Sequence, residues 1–327
     1  MLGNARSPLK ETMSEWDHML FLNLDIPFSI DGAFQDVDMM DLKEYLNRIG
    51  FTGQYDKADL DNLFTIHKLH VMNIPFENLS IHSGEKNTMD LQIIYDKIVK
   101  SNRGGWCCEN NLLFSWVLKE MGYKSTMLGS KVFNSLEQVF LSMDCHLVNL
   151  VEIDGKQYIA DVSFGVSSQI WHPLELISGK DQPQPSGVFR LINNGLQWVL
   201  EKTIRKQLVQ DKTLANSSLI DKRLTKTLYS FTLTPRDADH FREMSDYLQT
   251  SPDSLFMLKS ICSLQTPTGF RALIGWTYSE VTFKEDSDLV DMKEIPGCEI
   301  EALLRDKFNL VLVNKFTPKN NKADYCI

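Results

Sequence analysis

The hydrophobic period of the chain changes near Gly122, and that change sets its fold class: helices come first and antiparallel strands follow, an α+β arrangement. Upstream, Leu42, Tyr45, Leu46 and Ile49 fall on one helical stripe, with Gly50 placed where a helix commonly stops. Leu91, Ile94, Tyr95, Ile98 and Val99 keep helical spacing until Asn102 and the pair Gly104-Gly105 break it. A third helix is expected over about 108–121, with Leu112, Leu113, Trp116 and Val117 inward and Gly122 at its end. Over 125–231 short β-branched and aromatic runs alternate with turn residues, as in a small antiparallel sheet or barrel. The stretch 178–187, with two prolines and two glycines, reads as a loop. The remainder suggests a smaller mixed unit, with a helix over 238–248 and strands near 272–277 and 310–313. No internal repeat is visible.

At 327 residues the chain is long for one core, since domains of about 100 to 150 residues are the norm. The expected division is a helical unit over 40–122, a β unit over 123–231 with an inserted loop near 173–187, a mixed unit over 232–327, and an extension over 1–39. With 43 acidic against 34 basic residues the formal charge is −9, which disfavours nucleic acid and anionic membrane surfaces as partners. An anionic ligand would need a local basic patch, which the sequence does not locate. Apolar runs such as 19–22 and 147–151 fall far short of the roughly 18 residues that suggest a membrane span. Residues 1–39 are acidic throughout and lack the basic start and apolar stretch of a leader, so a cytoplasmic protein is expected. The six cysteines are too sparse for a disulfide framework and read as free thiols.

One cysteine has unusual neighbours. Arg103-Gly104-Gly105-Trp106-Cys107 puts a thiol where a glycine-loosened turn feeds a helix, whose positive end would favour thiolate. The same pentapeptide also fits a C-capping glycine pair followed by an indifferent buried cysteine. A hairpin then supplies a base. If its turn centres on Asp154-Gly155, Val148 faces Asp161 and His146 faces Ser163, so His146 and Asp161 are diagonal neighbours on one sheet face. A carboxylate there could hold the imidazole in one tautomer, and thiol, imidazole and carboxylate form a familiar nucleophilic set. His18, His67, His70, His82, His172 and His240 have no such partner by local reasoning. Spacing alone does not bring the hairpin to Cys107.

Arg103-Gly104-Gly105-Trp106-Cys107, Cys145-His146-Leu147 and Asp161-Val162-Ser163-Phe164-Gly165 resemble the three signature segments of the arylamine N-acetyltransferase family. Val71-Met72-Asn73-Ile74-Pro75-Phe76-Glu77-Asn78-Leu79 is similar to its Pro-Phe-Glu-Asn segment, and stretches 173–184, 229–231 and 247–252 resemble its vertebrate branch. The likeness covers roughly 40–327. It implies a helical bundle, a β-barrel and an α/β lid around a papain-like core, with Cys107 as nucleophile, His146 as base and Asp161 as orienter. It implies acetyl-CoA as donor, an arylamine or arylhydrazine as acceptor, a monomer, and no metal. It also places Phe164, Val166 and Ser168 around the amine and Ser142 and Met143 at coenzyme A.

Two departures stand out. Cys108 follows the nucleophile where vertebrate relatives usually carry an aliphatic residue, and Val162-Ser163 replaces a small Ala-Gly pair. Adjacent cysteines lack the C-x2-C spacing that converges on zinc. Because Val166 and Ser168 are uncharged, the resemblance suggests a preference for neutral arylamines over aminobenzoates. The rival readings are a papain-like thiol hydrolase using the same three residues and a non-catalytic binding protein with this fold.

Overall fold

Three aspartates set the starts of the first helices. The Asp41 carboxylate accepts from Lys43 N ahead of α1 (Leu42–Arg48), Asp59 from Asn62 N ahead of α2 (Leu60–Asn73), and Asp90 from Ile93 N ahead of α3 (Leu91–Tyr95). Each bond satisfies an amide that the helix itself leaves unpaired. The stripe that begins in α3 continues as a π-helical turn over Asp96–Lys100, and α4 follows at Cys107–Glu120. The computed structural model describes residues 39–321, 325 and 326; the expected extension, with His18, lies outside the described residues apart from Met39.

The larger sheet has nine strands: β2 (Lys124–Asn134), β3 (Val139–Phe140), β4 (His146–Ile153), β5 (Lys156–Ala160), β6 (Leu174–Glu175), β7 (Asp181–Gln184), β8 (Gly187–Asn193), β9 (Trp198–Thr203) and β11 (Thr225–Pro235). Their order is β6-β5-β4-β2-β11-β9-β8-β7, with β3 on β2. The end strands β6 and β7 are joined by side chains. Gln182 accepts from Glu175 N at 2.8 Å and donates to Glu175 O at 2.9 Å, while Gln184 accepts from Trp171 N at 2.6 Å and donates to His172 O at 2.8 Å. These amides occupy backbone groups that an open sheet would leave bare, so the sheet curls into a nearly closed barrel.

That seam corrects the sequence reading. The stretch near 173–187 is not simply a loop, because β6 and β7 both lie in it. Pro183 pairs with Val188 on β8, and it is tolerated because β7 has a neighbour on one side only.

The second sheet draws strands from all three expected segments. Its order is β1-β12-β13-β14-β15-β10, where β1 is Phe76–Glu77, β10 Gln207–Val209, β12 Ile261–Thr266, β13 Gly269–Ile274, β14 Thr277–Phe283 and β15 Asp288–Glu294. The strand expected near 272–277 is present as the end of β13 and the first residue of β14, with a turn at Gly275-Trp276 between them. The strand expected at 310–313 is absent: α7 (Ile300–Phe308) stops at Asn309 in the left-handed region (φ 55°), after which Leu310 is buried in a core while Val313 is exposed. An alternating apolar tetrapeptide with no neighbouring strand has nothing to pair with. The helix over 238–248 is present as a 3-10 turn leading into α5 (Arg242–Thr250), followed by α6 (Leu255–Leu258).

One apolar core runs through helices and barrel alike, with Leu63, Ile66, Ile94, Leu113 and Phe114 packed together with Leu147 and Val151 of β4. Met40–Ile327 accordingly clusters as one unit. Among the described residues no helix is long and apolar enough to cross a membrane.

Candidate active site

Cys107 is the first residue of α4, and the loop that delivers it is held by backbone on one side and charge on the other. Glu77 N donates to Gly105 O at 2.9 Å and Gly105 N to Pro75 O at 3.2 Å. A Cβ on Gly104 would lie 2.2 Å from Pro75 O, and one on Gly105 would crowd Glu109 and Asn110. Gly104 is thus required by close approach of two backbones, and Gly105 by the buried side chains of the helix start. Beside it, Arg103 donates to Glu77 at 2.9 and 3.2 Å and to Glu85 at 3.2 Å. Glu109 accepts from Trp106 N at 3.2 Å and pairs with Lys97 at 2.9 Å. Buried charges paired this way fix geometry more than they add stability.

The hairpin has the register read from the sequence: Asn149 pairs with Ala160 and Leu150 with Ile159. The ladder ends at Ala160, and Asp161 sits just beyond it. Its Oδ2 is 2.7 Å from His146 Nε2. The Cys107 sulfur stands near enough to His146 for the imidazole to favour its ionisation, and Nδ1 is the ring nitrogen that Asp161 leaves open. The sulfur also lies 3.9 Å from Cys108 Sγ and 3.8 Å from Cys145 O. The three predicted residues are therefore brought together, at 5 %, 1 % and 1 % exposure, shielded from bulk water.

Electrostatics follow from burial and pairing. Burial alone would lower the His146 imidazole, but the Asp161 carboxylate overrides it and holds the group up to about 10. Burial opposes ionisation of Asp161 too, yet His146, Asn111 and Ser163 hold its carboxyl below the usual range. Contact with Cys108 and burial push the Cys107 thiol up, and His146 is the group that pulls it back.

A shell of polar groups that sequence reasoning missed fixes Asp161. Asn111 Nδ2 donates to Oδ1 at 2.9 Å, and Ser163 N donates to the same oxygen at 3.0 Å. Asp161 N donates to His67 Nε2 at 3.2 Å, which requires Nδ1 to carry the ring proton toward Trp171 O at 2.9 Å. Burial lowers His67 to about 4, so it stays neutral in that role. Gln169 accepts from Phe164 N and Gly165 N and donates to Asp161 O at 2.6 Å. The available signal was Asn110-Asn111, two amides on the buried part of α4 just ahead of its apolar run Leu112-Leu113-Phe114. His240 also has a carboxylate partner, Asp144 at 2.8 Å, which local reasoning had not supplied, because the two are brought together only by the fold.

A cavity of about 260 Å³ adjoins this cluster, with Phe164, Val166, Ser168, Tyr247, Leu255 and Tyr325 in its wall. Phe164 meets His146 edge-on at 5.1 Å and lies 5.2 Å from Tyr229. Val166 has φ 46°, a strained conformation for a β-branched residue, and its backbone is gripped by Ser263 and Gln265. Ser142 and Met143 are exposed between β3 and β4; Leu141 rather than either of them lines the cavity. Tyr325, missed by sequence reasoning, has its phenol pushed up by burial first, with the Cys107 sulfur adding to it.

The family model described as N-acetyltransferase matches residues 59–317. The chain is 49 % identical to the pineal gland isozyme NAT-10 of arylamine N-acetyltransferase from Gallus gallus, over 88 % of this chain and 100 % of that protein. It is 43 % identical to arylamine N-acetyltransferase 1 of Bos taurus, again over 88 % and 100 %. Solved structures agree in fold: the arylamine N-acetyltransferase of M. tuberculosis superposes with TM-score 0.70 at 26 % identity, covering 82 % of this chain and 93 % of that one. That of Mycobacterium marinum in complex with CoA gives 0.69 at 25 %, covering 82 % and 92 %. A thiol at a helix start, coupled to histidine and aspartate beneath an aromatic cavity, thus occurs in a chain that belongs to the arylamine N-acetyltransferase family.

Proposed function

We propose that this enzyme moves an acetyl group from acetyl-CoA to an arylamine or arylhydrazine by way of acetyl-Cys107. The observation that carries the assignment of residues is the set Cys107, His146 and Asp161 beside a cavity lined by Phe164, whose ring contacts His146. The coenzyme A bound to the Mycobacterium marinum relative supports the choice of donor, and the exposed Ser142 and Met143 suit contact with the solvent-facing part of that molecule.

Cys107 Sγ, as thiolate, attacks the thioester carbonyl carbon, and the oxyanion faces the free N–H groups at the start of α4, including that of Cys107. The carbonyl re-forms, the carbon–sulfur bond to coenzyme A breaks, and the leaving sulfur takes the proton from His146 Nδ1. In the second half the amine nitrogen attacks acetyl-Cys107, His146 takes the proton the nitrogen sheds, and Cys107 leaves as thiolate. Asp161 keeps Nε2 protonated throughout, so that Nδ1 is the atom that exchanges. Burial of all three groups keeps water from hydrolysing the acetyl-enzyme.

Mixing enzyme with acetyl-CoA alone should release one equivalent of coenzyme A in a burst and add one acetyl group to Cys107, followed by steady turnover only when arylamine is present. Acetate release that ignores the amine would instead mark a hydrolase, and absence of any burst a binding protein.

A further inference from the structure

The residues after Asp161 carry no charge into the cavity, but a later part of the chain does. Arg223, just before β11, and Lys226, near its start, both stand in its wall together with the apolar Phe164, Val166 and Leu228. Among the described residues their close counter-charge is Asp221, itself buried. Arg223 grips it with Nε at 2.8 Å and Nη2 at 2.6 Å, and Lys226 Nζ is 3.0 Å away. Two cations sharing one carboxylate leave a surplus positive charge, and Arg223 Nη1 makes no hydrogen bond among the described residues. The other charged wall residue is Asp253, an exposed side chain beside Ser254. In a chain of net charge −9, this is a local cationic spot inside a ligand-sized cavity.

Phe164 ties that spot to the chemistry, since its ring meets His146 edge-on at 5.1 Å and stands in the same cavity wall. A single aromatic ring with its amine toward Cys107 and an acidic substituent toward the cations suits a cavity of about 260 Å³.

We propose that Arg223 and Lys226 form a recognition site for a carboxylate on the acceptor, so that acidic arylamines such as aminobenzoates are favoured substrates; this rests on the transferase reading above. It reverses the preference suggested by Val166 and Ser168 alone. A guanidinium edge and an ammonium, partly screened from water by apolar walls, suit a carboxylate well. The phosphates of the donor share this chemistry, but a cavity of about 260 Å³ whose wall holds both the cations and Phe164, the ring that meets His146, matches a compact acceptor better than the far end of coenzyme A.

Ping-pong kinetics separate the two sources, since kcat/KM for the acceptor reports only the second half-reaction and kcat/KM for the donor only the first. The measured quantities are the p-aminobenzoate to p-anisidine ratio and the acetyl-CoA to p-nitrophenyl acetate ratio, in native enzyme, Arg223→Gln, Arg223→Lys and Lys226→Gln. The native enzyme should favour p-aminobenzoate. Arg223→Gln should lower the acceptor ratio by about fivefold or more, Lys226→Gln by a smaller factor, and Arg223→Lys should restore most of it. A native preference for p-anisidine, a change below about twofold in the acceptor ratio, or a parallel fall with both acceptors in all variants overturns the proposal. A loss confined to the donor ratio assigns the cations to a donor phosphate and overturns it as well. Failure of native enzyme to acetylate either amine would instead sink the transferase reading itself.

Discussion

Replacing Asp161 by asparagine tests the link between structure and chemistry most sharply, because the surroundings dictate how the amide must sit. Oδ1 of Asp161 receives two donors, Asn111 Nδ2 and Ser163 N, while Oδ2 faces His146 Nε2. In Asp161→Asn the amide oxygen is needed by those two donors, so the NH2 group turns to His146. Nε2 must then accept, the ring proton moves to Nδ1, and the nitrogen facing Cys107 can no longer take a proton. The carboxylate that holds His146 up to about 10 against burial is also gone, so the imidazole becomes neutral well below pH 7 and ceases to favour thiolate. A wrong tautomer in such a triad costs on the order of 10³ to 10⁴ in kcat/KM, or about 4 to 5.5 kcal/mol. Stability should change with a definite sign. A histidine whose folded value is raised from 6.5 to about 10 contributes stability that is complete below 6.5 and disappears as pH rises to about 10. The Tm gap between native and variant should therefore be widest below pH 6.5 and narrow toward pH 10. Iodoacetamide alkylation of Cys107 across pH 5 to 9, acetylation of p-anisidine, and Tm against pH measure the three effects. An unchanged alkylation profile, or a Tm gap independent of pH, refutes the coupling.

Cys107→Ser should abolish transfer while Cys108→Ser keeps most of it, measured as initial rates at saturating donor; comparable losses would undo the assignment of the nucleophile. Since contact with Cys108 helps push the Cys107 thiol up, Cys108→Ala should shift Cys107 alkylation toward lower pH. Asn111→Ala leaves Val162 N and one Asp161 bond unsatisfied. It should cost about 2 to 4 kcal/mol in denaturant unfolding, together with a fall in kcat larger than the change in KM. Gly104→Ala forces a methyl group against Pro75 O, a backbone atom that cannot swing away, and should lower stability by more than about 3 kcal/mol; a Tm within a few degrees of native would contradict the close approach.

The parts of the site legible in the sequence were those governed by local rules. A turn at Asp154-Gly155 determines which residues face each other, so the neighbourhood of His146 and Asp161 could be read from numbering alone. That Cys107 meets them depends on α4 docking onto β4 through the shared core, which no local pattern encodes. The same holds for His67 and Gln169, whose roles arise from bonds to a loop, and for Arg223 and Lys226, which enter the cavity from a strand remote in sequence. Strand assignment failed where side chains replace backbone partners, as at the seam of Gln182 and Gln184, and where an apolar tetrapeptide after α7 found no strand to join. Pro183 looked like a breaker because its tolerance depends on an empty flank, a property of the sheet and not of the residue.

The wedge of Pro75 and Phe76 between two distant parts of the chain also limits how the enzyme can breathe. Phe76 pairs with Ser263 on β12 and is bridged to Gly105, two residues before Cys107. Swinging the C-terminal sheet away as a rigid door would pull on β1 and drag the mouth of α4 with it, spoiling the alignment of sulfur and imidazole. Admission of a donor as long as acetyl-CoA therefore falls to side chains of the cavity wall, while the two sheets stay latched.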